Sequence, residues 1–271
     1  MQTNVDRMAA GGVALRKSIY QLTPDELAAY REAVAKLMAR NDNKGYNFLA
    51  GVHGVPQQLC VHHEWHWLAW HRAYLYLFEQ RLQDQVAGVT IPWWDWTSAA
   101  THTNGIPPAF KDPTTPDGGP NPLLKAPIHL LNPQPGWPTE THRSPRRPTS
   151  PLLPTSQNVD VKQGTLAIPF FDRDPTGFSE QLAGYHDNVH GWVGGEMGVV
   201  GWSAYDPIFW SHHCMVDRIW YLWQIQFPNA VFDPDLLSSP LVVPDTDFTV
   251  ADTLDITRLG YGYALTELPI T

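Results

Sequence analysis

The chain has 271 residues, enough for one large domain with a real core, and its 27 acidic and 18 basic residues give a formal net charge of −9 with His neutral. No basic stripe interrupts that acidity, which argues against a nucleic-acid partner, and no run of about eighteen apolar residues offers a membrane span. Twelve Trp beside 25 Pro describe long ordered loops around an aromatic core rather than disorder, because disordered chains lack aromatics.

The opening segment "MQTNVDRMAAGGVALRKS" has no apolar leader and no twin arginine, so the chain as it stands reads as cytoplasmic; a trimmed secreted form would read the same. Residues 22–40 form a clean helix signal: Thr23 as N-cap, Pro24 in the first position, Glu26 closing a capping box, and Leu27, Val34, Leu37 and Met38 as an apolar stripe. A second helix ends near His53-Gly54, with Pro56 forbidding continuation. A third, very aromatic helix spans about Glu64 to Gln85, and "VTIPWWDW" (89–96) reads as a short extended segment.

Residues 103–165 change character, with fourteen prolines between Pro107 and Pro154, and read as an irregular excursion wrapping the domain. Helical signal returns at Phe178–Val193 and at Ser203–Phe227; after Pro228 the tail is irregular. No internal repeat is visible, so residues 1–271 read as a single domain whose core is two helix pairs separated by the Pro-rich insert.

The chemistry lies in the histidines. "HDNVH" places His186 and His190 at i, i+4 on one helix face, able to chelate one ion, although a solvated face gives the same pattern. "DPIFWSHHCMVDRIW" (206–220) supplies a further helix, on which adjacent residues point about 100° apart, so His212 and His213 cannot both face one ion. His62 and His71 are nine residues apart, about half a turn out of phase, and cannot share a face of one straight helix. Either His62 pairs with His66, or His62 lies in the loop before the helix and approaches from outside, which Cys60 two residues earlier favours. The two cysteines, Cys60 and Cys214, are too few for a disulfide framework, and each lies beside a His pair.

Three segments together, "YNFLAGVHGVPQQLCVHHEWHWLAWHRAYLYLFEQ" (46–80), "HDNVHGWVGGEM" (186–197) and "SAYDPIFWSHHCMVDRIWYLW" (203–223), resemble the two copper-binding regions of the type 3 copper proteins: tyrosinases, catechol oxidases and molluscan hemocyanins. They occur in the family's order on either side of a long insert, and Tyr261-Gly262-Tyr263 resembles the tyrosine motif that closes its core domain. The resemblance implies a mainly α fold with a four-helix-bundle core carrying a dicopper site, long Pro-rich loops and little β structure. It implies one copper on His53, His62 and His71 and another on His186, His190 and His213. Cys60 matches family members whose cysteine sulfur is covalently joined to the histidine at the His62 position. His212, Phe209, Gly191, Val200 and Asp217 would then line or support the site, and His63 and His66 would lie around it; His102, His129 and His142 fall in the insert and read as surface. Six imidazoles without carboxylates suit copper better than calcium, magnesium or manganese, di-iron bundles use mainly Glu, and zinc would need only one triad. Two facing sites with open positions suit dioxygen.

The implied activities are oxidation of o-diphenols to o-quinones with O2, monophenol hydroxylation, or reversible oxygen carriage, with phenolic small molecules and dioxygen as partners; nothing in the sequence sets an oligomeric state. Asp187 follows His186 where many hydroxylating members have Asn, and Ala183 stands where fungal-like members carry a water-positioning Glu, leaving Asp187 as the candidate to accept the phenol proton or hold the water, with a plain cap or pair on the surface as the alternative. Gly191 and Val200 are small, and an open mouth favours a polyphenol oxidase over a carrier. The "HGVPQQLCVH" stretch looks molluscan and keeps the hemocyanin-like carrier as the alternative. Eight residues follow Tyr263, too few for a domain covering the site, which needs about forty.

Overall fold

The computed structural model of the chain describes residues 13–144, 165–169, 171 and 176–263. The opening dozen residues, part of the Pro-rich insert and the eight residues after Tyr263 lie outside the described residues.

The first helix, α1 (Pro24–Met38), begins where its cap dictates: the Thr23 side chain accepts from the Glu26 N–H and Glu26 reaches back to the Thr23 N–H. α2 (Tyr46–His53) is one short apolar helix stopped at Gly54, whose added Cβ would strike the carbonyl of Gly201. α3 (Trp67–Gln83) starts three residues later than the sequence suggests, because the chain through His62 to His66 is an irregular loop. Two short helices, α4 (Ala99–Asn104) and α5 (Pro108–Lys111), open the insert. α6 (Phe178–Val193) and α7 (Ile208–Gln226) follow it, α7 preceded by a 3₁₀ turn at Ser203–Tyr205. The tail is less irregular than its sequence implies, holding α8 (Pro234–Ser238) and α9 (Val250–Thr253).

α3 and α7 are buried on nearly every side, and their long runs of Trp, Leu and Phe follow from that position. They pack against each other, with Phe78 stacked on Trp210 at 3.5 Å between ring centres. α1 packs on α2 and α3. Residues 89–96 do not form a strand: Trp93 makes a single parallel bridge to Ser18. The described part of the insert is anchored by Arg143, whose Nε lies 2.9 and 2.8 Å from the two Asp206 oxygens while its other nitrogens donate to the carbonyls of Phe110 and Leu123.

The β structure consists of two three-residue strands, β1 (Ala14–Arg16) and β2 (Tyr261–Tyr263), paired in parallel with Ala14 opposite Tyr261. Beneath them lies a buried charge network. Asp217 accepts from Arg72 Nε at 2.5 Å, from Tyr261 at 2.7 Å and from Tyr263 at 2.6 Å, and Arg16 bridges Glu79 at 2.9 Å and Asp217 at 3.3 Å. Asp217, expected near the site, therefore belongs instead to the contact that joins the two ends of the described chain. Among the described residues no helix is long and apolar enough to cross a membrane.

Candidate metal centre

Two clusters of ligating side chains form between these helices. His53, Cys60, His62 and His71 make one; His186, His190, His212 and His213 make the other; within each, one ligand atom per residue lies within 4.8 Å of all the rest. His53 ends α2, His71 sits one turn into α3, and His62 enters from the loop before α3. The loop approach, not the His62/His66 pair, is the arrangement present. The three rings surround a common space, with centroid separations of 5.0 Å for His53–His62 and 5.6 Å for both His53–His71 and His62–His71.

The second cluster is tighter. The Nε2 atoms of His186, His190 and His213 are separated by 2.9, 3.2 and 3.2 Å. Three nitrogens so spaced share a point about 2 Å from each, the length of an imidazole–metal bond. In several rings Nδ1 is already engaged. His71 Nδ1 lies 2.8 Å from the Trp67 carbonyl, His190 Nδ1 2.8 Å from the Met197 carbonyl, and His186 Nδ1 3.0 Å from Asp187 Oδ1. Each such bond fixes the proton on Nδ1 and leaves the Nε2 lone pair facing inward, the tautomer a metal requires.

Burial keeps these rings uncharged. Desolvation, followed by the neighbouring imidazoles, holds His53, His71, His190, His212 and His213 well below the usual histidine range, and His62 is pushed down to about 4. Burial lowers His186 as well, although Asp187 opposes it. Both nitrogens of His53 and Nδ1 of His213 are buried without a hydrogen-bond partner. Orphaned, neutral, converging imidazoles are what a soft-to-borderline transition metal such as copper needs, and they fit one in each cluster. The thiol of Cys60 is pushed well up by burial, which disfavours the thiolate and so a thiolate–metal bond. Its sulfur stands 3.4 Å from His62 Nδ1 and 3.6 Å from His62 Nε2, facing the ring edge between them.

His212 departs from the angular argument: it is buried, stacks on His186 at 5.1 Å and meets His190 edge-on at 4.7 Å, so α7 brings both adjacent histidines to one cluster. Phe209 packs 4.1 Å from the His213 ring and 4.8 Å from His53. His129 and His142 are exposed, while His102 is half-buried. Cys214 lies elsewhere from Cys60, under Ile91 and Tyr263, and the two form no disulfide.

A pocket of about 250 Å³ opens over the clusters, lined by His62, His63, His186, Asp187, His190, Gly191, Met197, Gly198, Val200 and Ser203. An added Cβ at Gly191 would meet nothing, and Val200 is well exposed, so the mouth is open at both positions. Sequence reasoning put His63 around the site and missed Glu180. His63 spans the mouth, with Nδ1 3.0 Å from Glu180 and Nε2 3.1 Å from Asp187. Its signal in the sequence was only its place beside His62; Glu180 had none.

With this geometry in place, the comparisons with known proteins carry the family. The model of the common central domain of tyrosinase matches residues 43–226, and the chain belongs to the tyrosinase family. It is 34% identical to the tyrosinase of Streptomyces antibioticus over 91% of this chain and 98% of that one. It is 28% identical to an A-type hemocyanin (units Ode to Odg) of Enteroctopus dofleini over 96% of this chain, and spans 22% of that much longer protein. Among solved structures, a functional unit of octopus hemocyanin superposes with a TM-score of 0.76 at 28% identity, covering 92% of this chain and 67% of the other. A tyrosinase from Burkholderia thailandensis shares the fold with a TM-score of 0.78 at 23% identity, over 95% of this chain and 74% of its own.

Proposed function

We propose that the chain is a polyphenol oxidase domain that uses two copper ions and O2 to oxidise o-diphenols to o-quinones, and hydroxylates monophenols more slowly. One copper is held by His53, His62 and His71, the other by His186, His190 and His213. The four helices α2, α3, α6 and α7 form the bundle core that carries these ligands, and the Pro-rich loops close around it. When bound, the copper pair would relay electrons from the phenol to dioxygen, two for each diphenol oxidised to a quinone. The observation that carries the reading is the open pocket set directly over two facing imidazole clusters.

The protein's own groups prepare that chemistry. The carbonyls of Trp67 and Met197 and the carboxylate of Asp187 hold three imidazoles in one tautomer. Phe209 and Trp67 pack against the rings and exclude water. Cys60 is joined covalently to His62, the thiol and ring hydrogens leaving as protons and their two electrons passing to dioxygen, which keeps that imidazole in its loop; the sulfur's approach to the ring edge between the two nitrogens supports the bond. Asp187, half exposed in the mouth, is placed to take the proton of a phenol on its way to the centre. Burial alone would raise its carboxyl, but the His186 hydrogen bond and the nearby imidazoles hold it below the usual range, so it is ionised near neutrality.

The hemocyanin relatives favour a second reading, a reversible oxygen carrier. Oxygen consumption by the copper-loaded protein on adding catechol separates the two: continuous uptake belongs to the oxidase, and reversible binding without turnover to the carrier.

A further inference from the structure

The mouth of the pocket has an uneven electrostatic character. None of the ten lining residues is Lys or Arg, and the carboxylate among them is Asp187. Beside it on α6 stands Glu180, and His63 is held between the two, 3.0 Å from one and 3.1 Å from the other. Two carboxylates and one imidazole leave this side of the mouth with a net charge of −1 or −2, whichever state the imidazole takes. The arrangement is imposed by the fold. His63 has φ 55, in the left-handed region that side chains rarely adopt, and its partners are 117 and 124 residues away in the chain. Met197, Gly198 and Val200 supply an apolar wall to the same pocket, and Val199 beside them is half exposed. The molecule as a whole adds a negative field, with a formal net charge of −9.

A phenol that places its hydroxyls toward the imidazoles lays its ring along the apolar wall and leaves its side chain at the mouth, within the field of Glu180 and Asp187. We propose that the site selects phenols and catechols carrying a cationic, amine-bearing side chain over those carrying a carboxylate. This deepens the reading of the site as a phenol oxidase and rests on it.

Dopamine and 3-(3,4-dihydroxyphenyl)propionate share the catechol ring and a two-carbon spacer and differ in the sign of the terminal charge. With the copper-loaded protein near pH 7, kcat/KM for the amine should exceed that for the carboxylate about threefold to tenfold at low ionic strength, mostly through KM. The ratio should shrink to within about twofold at roughly 0.5 M salt, where surface charges are screened. Glu180→Gln, which removes one of the two mouth carboxylates without touching an imidazole of the clusters, should lower the ratio by about half. A ratio at or below one at low salt overturns the proposal, as does a ratio indifferent to both salt and Glu180→Gln. If neither catechol is oxidised, the oxidase reading fails separately. The charge preference is then read from calorimetric binding of 2-phenylethylamine and 3-phenylpropionate to the protein, where tighter binding of the amine supports it and equal or weaker binding overturns it.

Discussion

The carboxylate of Asp187 turns back onto the imidazole that precedes it, Oδ1 standing 3.0 Å from Nδ1 of His186. One residue thus both orients a proposed ligand and lines the pocket over the clusters, which makes its substitution informative. Asp187→Asn keeps an acceptor for Nδ1–H and removes the charge. Copper should bind the second cluster about tenfold to a hundredfold more weakly. At full copper occupancy the monophenol rate should fall more than the diphenol rate, since only the former needs a phenol proton removed. The check is kinetic, on one matched phenol and catechol; equal scaling of both rates would leave Asp187 an orienting role alone.

His71→Ala and His213→Ala should each reduce bound copper from two ions to one, because each removes one of the three imidazoles proposed to hold its ion. Metal analysis after reconstitution and desalting measures this. His212→Ala tests the neighbour: stacked on His186 but outside the tight triangle of nitrogens, it should leave copper near two, and a fall to one would exchange the roles of the pair.

Cys60 and His62 should be found covalently joined in the copper-loaded protein. Intact mass should be lower than the sequence mass by two hydrogens, and reductant should not restore them. Recovery of two free thiols after denaturation would refute the bond. A deficit that reductant removes would mean a disulfide, which the separate settings of Cys60 and Cys214 oppose.

What the sequence made legible and what it hid divide along contact range. The capping box at Thr23, the stop at Gly54 and the histidine spacing on α6 are local, and each lies where the pattern put it. The choice between His62 with His66 and His62 in a loop was open, because periodicity cannot say where a helix begins when its first turn is aromatic and uncapped; α3 starts at Trp67 with no side-chain cap. The angular separation of His212 and His213 is real at the backbone, yet long side chains bring both rings into one cluster. β1 and β2, three residues each, are too short to show alternation, and Asp217, expected to line or support the site, is claimed by Arg16, Arg72, Tyr261 and Tyr263 from distant parts of the chain.

That network sets an acid limit. Burial alone would raise the Asp217 carboxyl, but Arg72 and Arg16 and the hydrogen bonds from Tyr263 and Arg72 hold it below its ordinary value. A carboxyl depressed on folding contributes stability that is fully present above its unfolded value, about 3.9, and is lost as pH falls through the folded value. Asp217→Asn should cost about 3–5 kcal/mol near neutrality, by leaving two buried guanidinium groups short of an anion, and should flatten the decline of melting temperature below about pH 4. Thermal melts of both proteins across pH 3–7 read this directly, and parallel curves would show that Asp217 does not govern acid stability.

The most direct test of the dicopper oxidase is to count metal and oxygen together. The protein, reconstituted with copper and freed of excess, is analysed for metal and then given catechol in an oxygen electrode. Two copper ions per chain with sustained oxygen uptake, abolished in His71→Ala and His213→Ala, is the predicted result. A single ion per chain, or two ions that bind oxygen reversibly while catechol goes unoxidised, would contradict it.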